Sequence, residues 1–182
     1  MGYYLPLAYL PELVTSIPQE HQDGSHHYIT SGEAALLLSL VNAGNLIGRI
    51  MMGAIVDLPW LNPVVAYICA LFASSVFMVG FIMVTDFKAF AICSVLYGLA
   101  VAGPSSQMNL VLTELFGLES LSATFGIMCF FRGVFFFLSW PLAAFVFEFF
   151  ESRPAMFMLG AAQLATAGVV GCLMMVLSKK SK

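Results

Sequence analysis

Glu33-Ala34-Ala35-Leu36-Leu37-Leu38-Ser39-Leu40-Val41-Asn42-Ala43-Gly44-Asn45-Leu46-Ile47-Gly48-Arg49-Ile50-Met51-Met52-Gly53-Ala54-Ile55-Val56 is the stretch on which the fold turns. A helix needs about 20 consecutive apolar residues to cross the hydrocarbon core of a bilayer, and this run is long enough. Its polar residues are not scattered. Stepping back from Arg49 at helical spacing reaches Asn45, Asn42 and Ser39, all on one stripe of the helix surface. Leu36, Leu37, Leu38, Leu40, Val41, Leu46, Ile47, Ile50 and Met51 cover the other sides. A charge facing lipid costs roughly 2.5–3.5 kcal/mol even on the lenient insertion scale, so the stripe is expected to point inward. Gly44 and Gly48 form a GxxxG step, which admits a closely approaching neighbour.

The same texture extends in both directions. Of the 182 residues, 60% are apolar and 9% charged, and mean hydropathy is +0.94. Soluble domains hold roughly 45–50% apolar and 25% charged residues, so the solvent for this surplus is lipid. Further spans are expected over 63–84, 87–112, 122–147 and 154–177. They are divided by Asp57-Leu58-Pro59, Thr85-Asp86, the 114–119 break and the 148–153 break. An earlier stretch, 2–17, is shorter and carries Pro6, Pro11 and Glu12, which makes it a truncated or broken first span. The expected fold is therefore an all-α polytopic membrane protein: one transmembrane domain over 1–182, a six-helix bundle with its first helix truncated.

Net charge is −3, and the one basic cluster is Lys179, Lys180 and Lys182. That tail suits a cytosolic membrane surface and is too short to indicate nucleic acid as a partner. With the tail in the cytosol, the 19–32 loop faces outside and carries no Lys or Arg, as the positive-inside rule prefers. Lys88 and Arg153 then fall at outer ends.

Cys69, Cys93, Cys129 and Cys172 each lie inside a separate apolar run, where thiols act as small hydrophobes rather than as a disulfide framework. All three histidines sit between Gln19 and Tyr28. Histidine and aspartate there are usable metal ligands, but the plainer reading is a flexible polar loop with no metal. No intramembrane His or Asp pair supplies the nucleophile and base of hydrolytic chemistry. Neither an enzyme nor a cofactor is expected.

The candidate site centres on Arg49. A guanidinium holds a carboxylate through two parallel hydrogen bonds, and the amides of Asn45 and Asn42 would lie beside it. The alternative is an arginine neutralised by a carboxylate from another helix. Arg132, amid Phe130-Phe131-Arg132-Gly133, has no acid three or four residues away on its own helix. Interhelical pairing or a cytosolic gate is preferred for it over substrate contact; Asp57 and Glu114 stand at span ends. In the 87–112 span, Tyr97 precedes Pro104, and Ser105, Asn109 and Thr113 repeat every four residues. Pro104 removes one helical hydrogen bond and frees a carbonyl for side chains or water. Pro6 and Pro11 around Tyr9 repeat the pattern in the first span. Proline-interrupted helices at matching places in two three-helix repeats point to a transporter cavity.

Several stretches together carry a family resemblance: Tyr4-Leu5-Pro6-Leu7-Ala8-Tyr9-Leu10-Pro11, Ala35 to Leu40 leading into Gly48-Arg49, and Gly53-Ala54-Ile55-Val56-Asp57. Tyr97-Gly98-Leu99, Glu114-Leu115-Phe116-Gly117, Phe125-Gly126 and Phe131-Arg132-Gly133 with Pro141 follow. In this order and spacing, the chain resembles the C-terminal half of the monocarboxylate transporter family, within the major facilitator superfamily. The resemblance implies helices seven to twelve of a twelve-helix carrier in the plasma membrane. It implies that Arg49 matches the arginine that binds the substrate carboxylate, and Ser105 a cavity-lining serine. It also implies an N-terminal six-helix half, or a second copy, as partner. Proton-coupled members carry an aspartate where this chain has Asn45. Asparagine exchanges no proton near neutral pH, so facilitated or otherwise coupled transport is expected. The chain alone is expected not to transport, since alternating access rocks one bundle against the other. Rival readings are a carrier of another substrate class and a non-transporting membrane scaffold.

Overall fold

Thr30 starts the first long helix. Its backbone N–H donates to Glu33 Oε2 at 2.9 Å, while Glu33 N–H donates back to Thr30 Oγ1 at 3.5 Å. This reciprocal box satisfies two of the donors that a helix N-terminus otherwise leaves open. The computed structural model describes residue 10 and residues 18–20, 26–28, 30–56, 62–84, 86–150 and 153–180. Two three-residue strands, β1 (Pro18–Glu20) and β2 (His26–Tyr28), pair antiparallel with Gln19 opposite His27. A short hairpin thus occupies part of the expected flexible loop.

Six helices follow: α1 (Ser31–Val56), α2 (Pro63–Met83), α3 (Phe87–Ser106), α4 (Met108–Phe116), α5 (Leu121–Phe150) and α6 (Arg153–Lys180). Asn62 caps α2 through its Oδ1, which accepts from Val64 N–H at 2.8 Å, and Pro63 occupies the first turn, where its missing donor does no harm. Gly117 ends α4 with φ of 80°, a left-handed conformation that residues with a Cβ adopt poorly. Together α3 and α4 form one crossing, broken at Gln107.

Five spans among the described residues are long and apolar enough to cross a membrane. The expected count of six is therefore not reached. The first expected span, 2–17, lies outside the described residues except for Leu10, which is helical and fully buried.

The central helix is α3, packed against α1 on one side and α2 on another, while α2 also packs against α6. Lipid is as apolar as leucine, so close van der Waals packing and hydrogen bonds must hold such helices together. Gly44 lies against the Val95 carbonyl, where an added Cβ would sit 2.6 Å from the oxygen, and Gly48 lies against Leu99 and Ala102. Gly98 reciprocates, since a Cβ there would run into the Val41 carbonyl oxygen. The GxxxG step of α1 therefore does admit a neighbour, and the neighbour contributes its own glycine. Contacts climb both helices in the same direction, so α1 and α3 are parallel.

Phe81 centres the core. Its ring meets Tyr97 edge-on at 5.7 Å, Phe157 at 6.2 Å and Phe90 at 6.4 Å. Such pairs add about 0.5–1.5 kcal/mol each beyond simple burial. The Ser75 hydroxyl donates to the Ala161 carbonyl at 2.9 Å and ties α2 to α6. α5 stands apart: none of Leu121–Leu138 is buried, and Phe130, Phe131, Phe135, Phe136 and Phe137 are all exposed.

Candidate functional site

The face of α1 that packs on α3 consists of Ala34, Leu37, Val41, Gly44 and Gly48, all buried. The polar stripe runs beside this seam. Ser39, Asn42 and Arg49 are exposed and Asn45 is half-buried, so the stripe points away from this chain's own core rather than into it. Helical spacing gathers these four residues onto one face but does not say what that face looks at.

Each polar side chain on the stripe is held by a neighbour on the same helix. The Ser39 hydroxyl donates to the Ala35 carbonyl at 2.9 Å, and Asn42 Nδ2 donates to the Leu38 carbonyl at 3.0 Å. Arg49 Nε–H donates to Asn45 Oδ1 at 2.9 Å. The guanidinium is thereby drawn back along the helix by one turn. Among the described residues Arg49 makes no ion pair and no hydrogen bond beyond that one. The alternative of an arginine neutralised by another helix's carboxylate finds no support in them. Arginine carries five N–H donors, so both terminal nitrogens remain open to a ligand.

Ser105 is half-buried on α3, and its hydroxyl donates to the carbonyls of Ala102 at 3.0 Å and Val101 at 3.3 Å. The Ser106 hydroxyl donates to Ala102 and Gly103 carbonyls in the same way, at 2.7 and 3.3 Å. Pro104 sits between these bonds and the end of α3. The expected continuous face of Ser105, Asn109 and Thr113 is interrupted at Gln107, which leaves Ser105 on α3 and the other two on α4.

Tyr97, expected on the cavity, is fully buried in the aromatic core against Phe81. It lies on a different face of α3 from the α1 seam, and its ring supports the bundle. Arg132 is exposed on α5, with Nη1 3.7 Å from the Met108 sulfur of α4 and the guanidinium within electrostatic reach of Tyr67 on α2. Tyr9 and Asp57 lie outside the described residues.

Two groups had no sequence signal. Gln107 is only 1% exposed, with Nε2 at 3.3 Å from the Met52 sulfur and Oε1 without a partner among the described residues. Ser94 is fully buried, and its hydroxyl also has no partner among the described residues. A lone glutamine or serine in an apolar run offers no spacing to read.

Five membrane-length helices, and an arginine among them that makes no ion pair with any described residue, narrow the class of protein considerably. No family model matches the chain. Two curated relatives do: monocarboxylate transporter 9 of Rattus norvegicus, 24% identical over 119 residues, and that of Pongo abelii, 24% identical over 98 residues. This is a transporter-like, multi-pass membrane protein. The matches cover 65% and 54% of this chain but only 23% and 19% of those relatives. The chain thus spans about a quarter or less of the length of the curated relatives it matches.

Proposed function

We propose that this chain forms the C-terminal half of a carrier for small monocarboxylates or related organic anions, working by alternating access. The observation that carries the reading is Arg49: a guanidinium within a membrane-length helix, anchored by Asn45, with neither terminal nitrogen bonded to any described residue. A fork of that kind suits a planar carboxylate, which it can grip bidentately. An exposed intramembrane charge calls for a water-filled cavity or another polypeptide. The stripe of Ser39, Asn42, Asn45 and Arg49 is then the wall that faces a second six-helix half across the cavity, with Ser105 alongside. The Asn45 amide neither gains nor loses a proton near neutral pH, so coupling to protons does not pass through it. The protein sits in the plasma membrane with its lysine tail in the cytosol.

The test uses the purified chain in lipid nanodiscs and a radiolabelled monocarboxylate. Saturable binding is expected, reduced about tenfold or more by Arg49→Ala and substantially by Arg49→Lys, which retains charge but not the planar fork. Binding that survives Arg49→Ala unchanged would remove the reading and leave a scaffold.

A further inference from the structure

Met52 of α1 and Gln107, between α3 and α4, meet where the two crossings touch. The Gln107 side chain is only 1% exposed, and its Nε2 donates to the Met52 sulfur at 3.3 Å. A thioether is a weak acceptor, and among the described residues this is the side chain's one hydrogen bond, since Oε1 has no partner. A buried amide so poorly matched asks for an explanation. An amide donor is held against a sulfur that could become a far better acceptor.

Met52 is placed to undergo that change. It is half-buried and stands four residues before the end of α1, about 6 Å of helix rise, so a small aqueous oxidant has a short path to it. Its methyl end is confined, because a Cβ added to Gly103 would sit 3.3 Å from Met52 Cε. The Met108 sulfur also has a donor nearby, Arg132 Nη1 at 3.7 Å, but that arginine is exposed. The donor at Met52 is a buried one.

We infer that Met52 is an oxidation site whose sulfoxide oxygen is received by Gln107 Nε2. The oxidant is a hydroperoxide. With hydrogen peroxide, the sulfur gives an electron pair to one oxygen, an S–O bond forms and the O–O bond breaks. Sulfur is oxidised and the peroxide reduced, its second oxygen leaving as water with both protons. Methionine sulfoxide reductases reverse the change. A sulfoxide usually disrupts an apolar core because its oxygen is polar. Here the oxygen meets an amide N–H that is already in place. The weak contact becomes a full hydrogen bond and ties α1, three residues beyond Arg49, to the break in the α3–α4 crossing. None of this depends on what Arg49 binds.

The test treats the chain in nanodiscs with hydrogen peroxide and reads sulfoxide at each methionine by peptide mass spectrometry. Met83, 80% exposed, reports complete exposure to the oxidant. Unfolding midpoints are taken before and after for the parent, Gln107→Leu, Met52→Leu and the double variant. Met52 is expected to oxidise, and the parent to lose less midpoint than Gln107→Leu by roughly 1–6 °C, the size of one hydrogen bond in a chain of this length. In the Met52→Leu background the residue at 107 should make no difference to the loss. The variants' own midpoints before treatment show that they are folded. Met52 left intact when Met83 is fully converted would overturn the inference. So would equal losses in the parent and Gln107→Leu, or a difference that persists without Met52.

Discussion

At the scale of single residues, the behaviour of Arg49 depends on the charge of what holds it. Asn45 fixes Nε through a neutral oxygen at 2.9 Å, so the guanidinium keeps its full charge for a ligand. Asn45→Asp would put a carboxylate in the same place and satisfy the arginine from within. Binding of a labelled monocarboxylate at neutral pH should fall about tenfold or more, because an opposite charge at contact distance competes directly. Asn45→Ala should cost less, since it loosens the arginine without neutralising it. If Asn45→Asp binds as well as the parent in a competition assay, the guanidinium charge is not what holds the ligand. Gln107 makes a different kind of prediction. An amide oxygen buried without a donor costs about 1–3 kcal/mol, and among the described residues Gln107 has only a thioether near its nitrogen. Gln107→Leu is expected to raise the thermal unfolding midpoint in detergent by a few degrees, equivalent to about 1 kcal/mol. A comparable drop would mean that the oxygen has a partner after all.

Among the helices, the seam between α1 and α3 is the least forgiving feature. Gly98→Ala would drive a Cβ into the Val41 carbonyl, and overpacking of this kind typically costs about 1–3 kcal/mol. Gly53→Ala, on the same α1 but facing open space, should be neutral or stabilising by about 0.5–1 kcal/mol through helix propensity. Unfolding midpoints of the two variants in one detergent check both signs together. The seam was legible in advance because Gly44 and Gly48 are four residues apart in an otherwise bulky run. Helix positions were legible from the apolar runs, and the described helices begin within two residues of the expected spans. What the pattern could not give was orientation between helices. Periodicity gathers Ser39, Asn42, Asn45 and Arg49 onto one face, yet only packing decides whether that face meets a neighbour or open space. Tyr97 was misplaced for a related reason. A tyrosine near Pro104 suggests a cavity, but Phe81 of α2 meets its ring inside a core where Phe81 also meets Phe90 and Phe157, and that clustering exists only in three dimensions. The amide senses of Asn42 and Asn45 follow from their hydrogen-bond partners, and no sequence pattern encodes those.

For the molecule as a whole, five membrane-length spans among the described residues predict one topological relation. The β1–β2 hairpin precedes an odd number of membrane-length helices and the end of α6 follows them, so the two are expected on opposite sides of the membrane. Cysteines introduced at Gln19 and Ser178, with the native four replaced by serine or alanine, should label with an impermeant maleimide from opposite sides of sealed vesicles. Labelling from the same side would mean that one of the five helices does not cross. The parallel pairing of α1 with α3 also bears on how the chain is made. The glycine seam of α1 has no partner until the ribosome has produced the α3 segment around Leu99 and Ala102, more than 40 residues beyond Val56. At about 5–20 residues per second, that is a wait of several seconds. Throughout it, a helix carrying an arginine and two asparagines must be sheltered by the insertion machinery, so biogenesis should be most sensitive to whatever lengthens or slows the stretch between them.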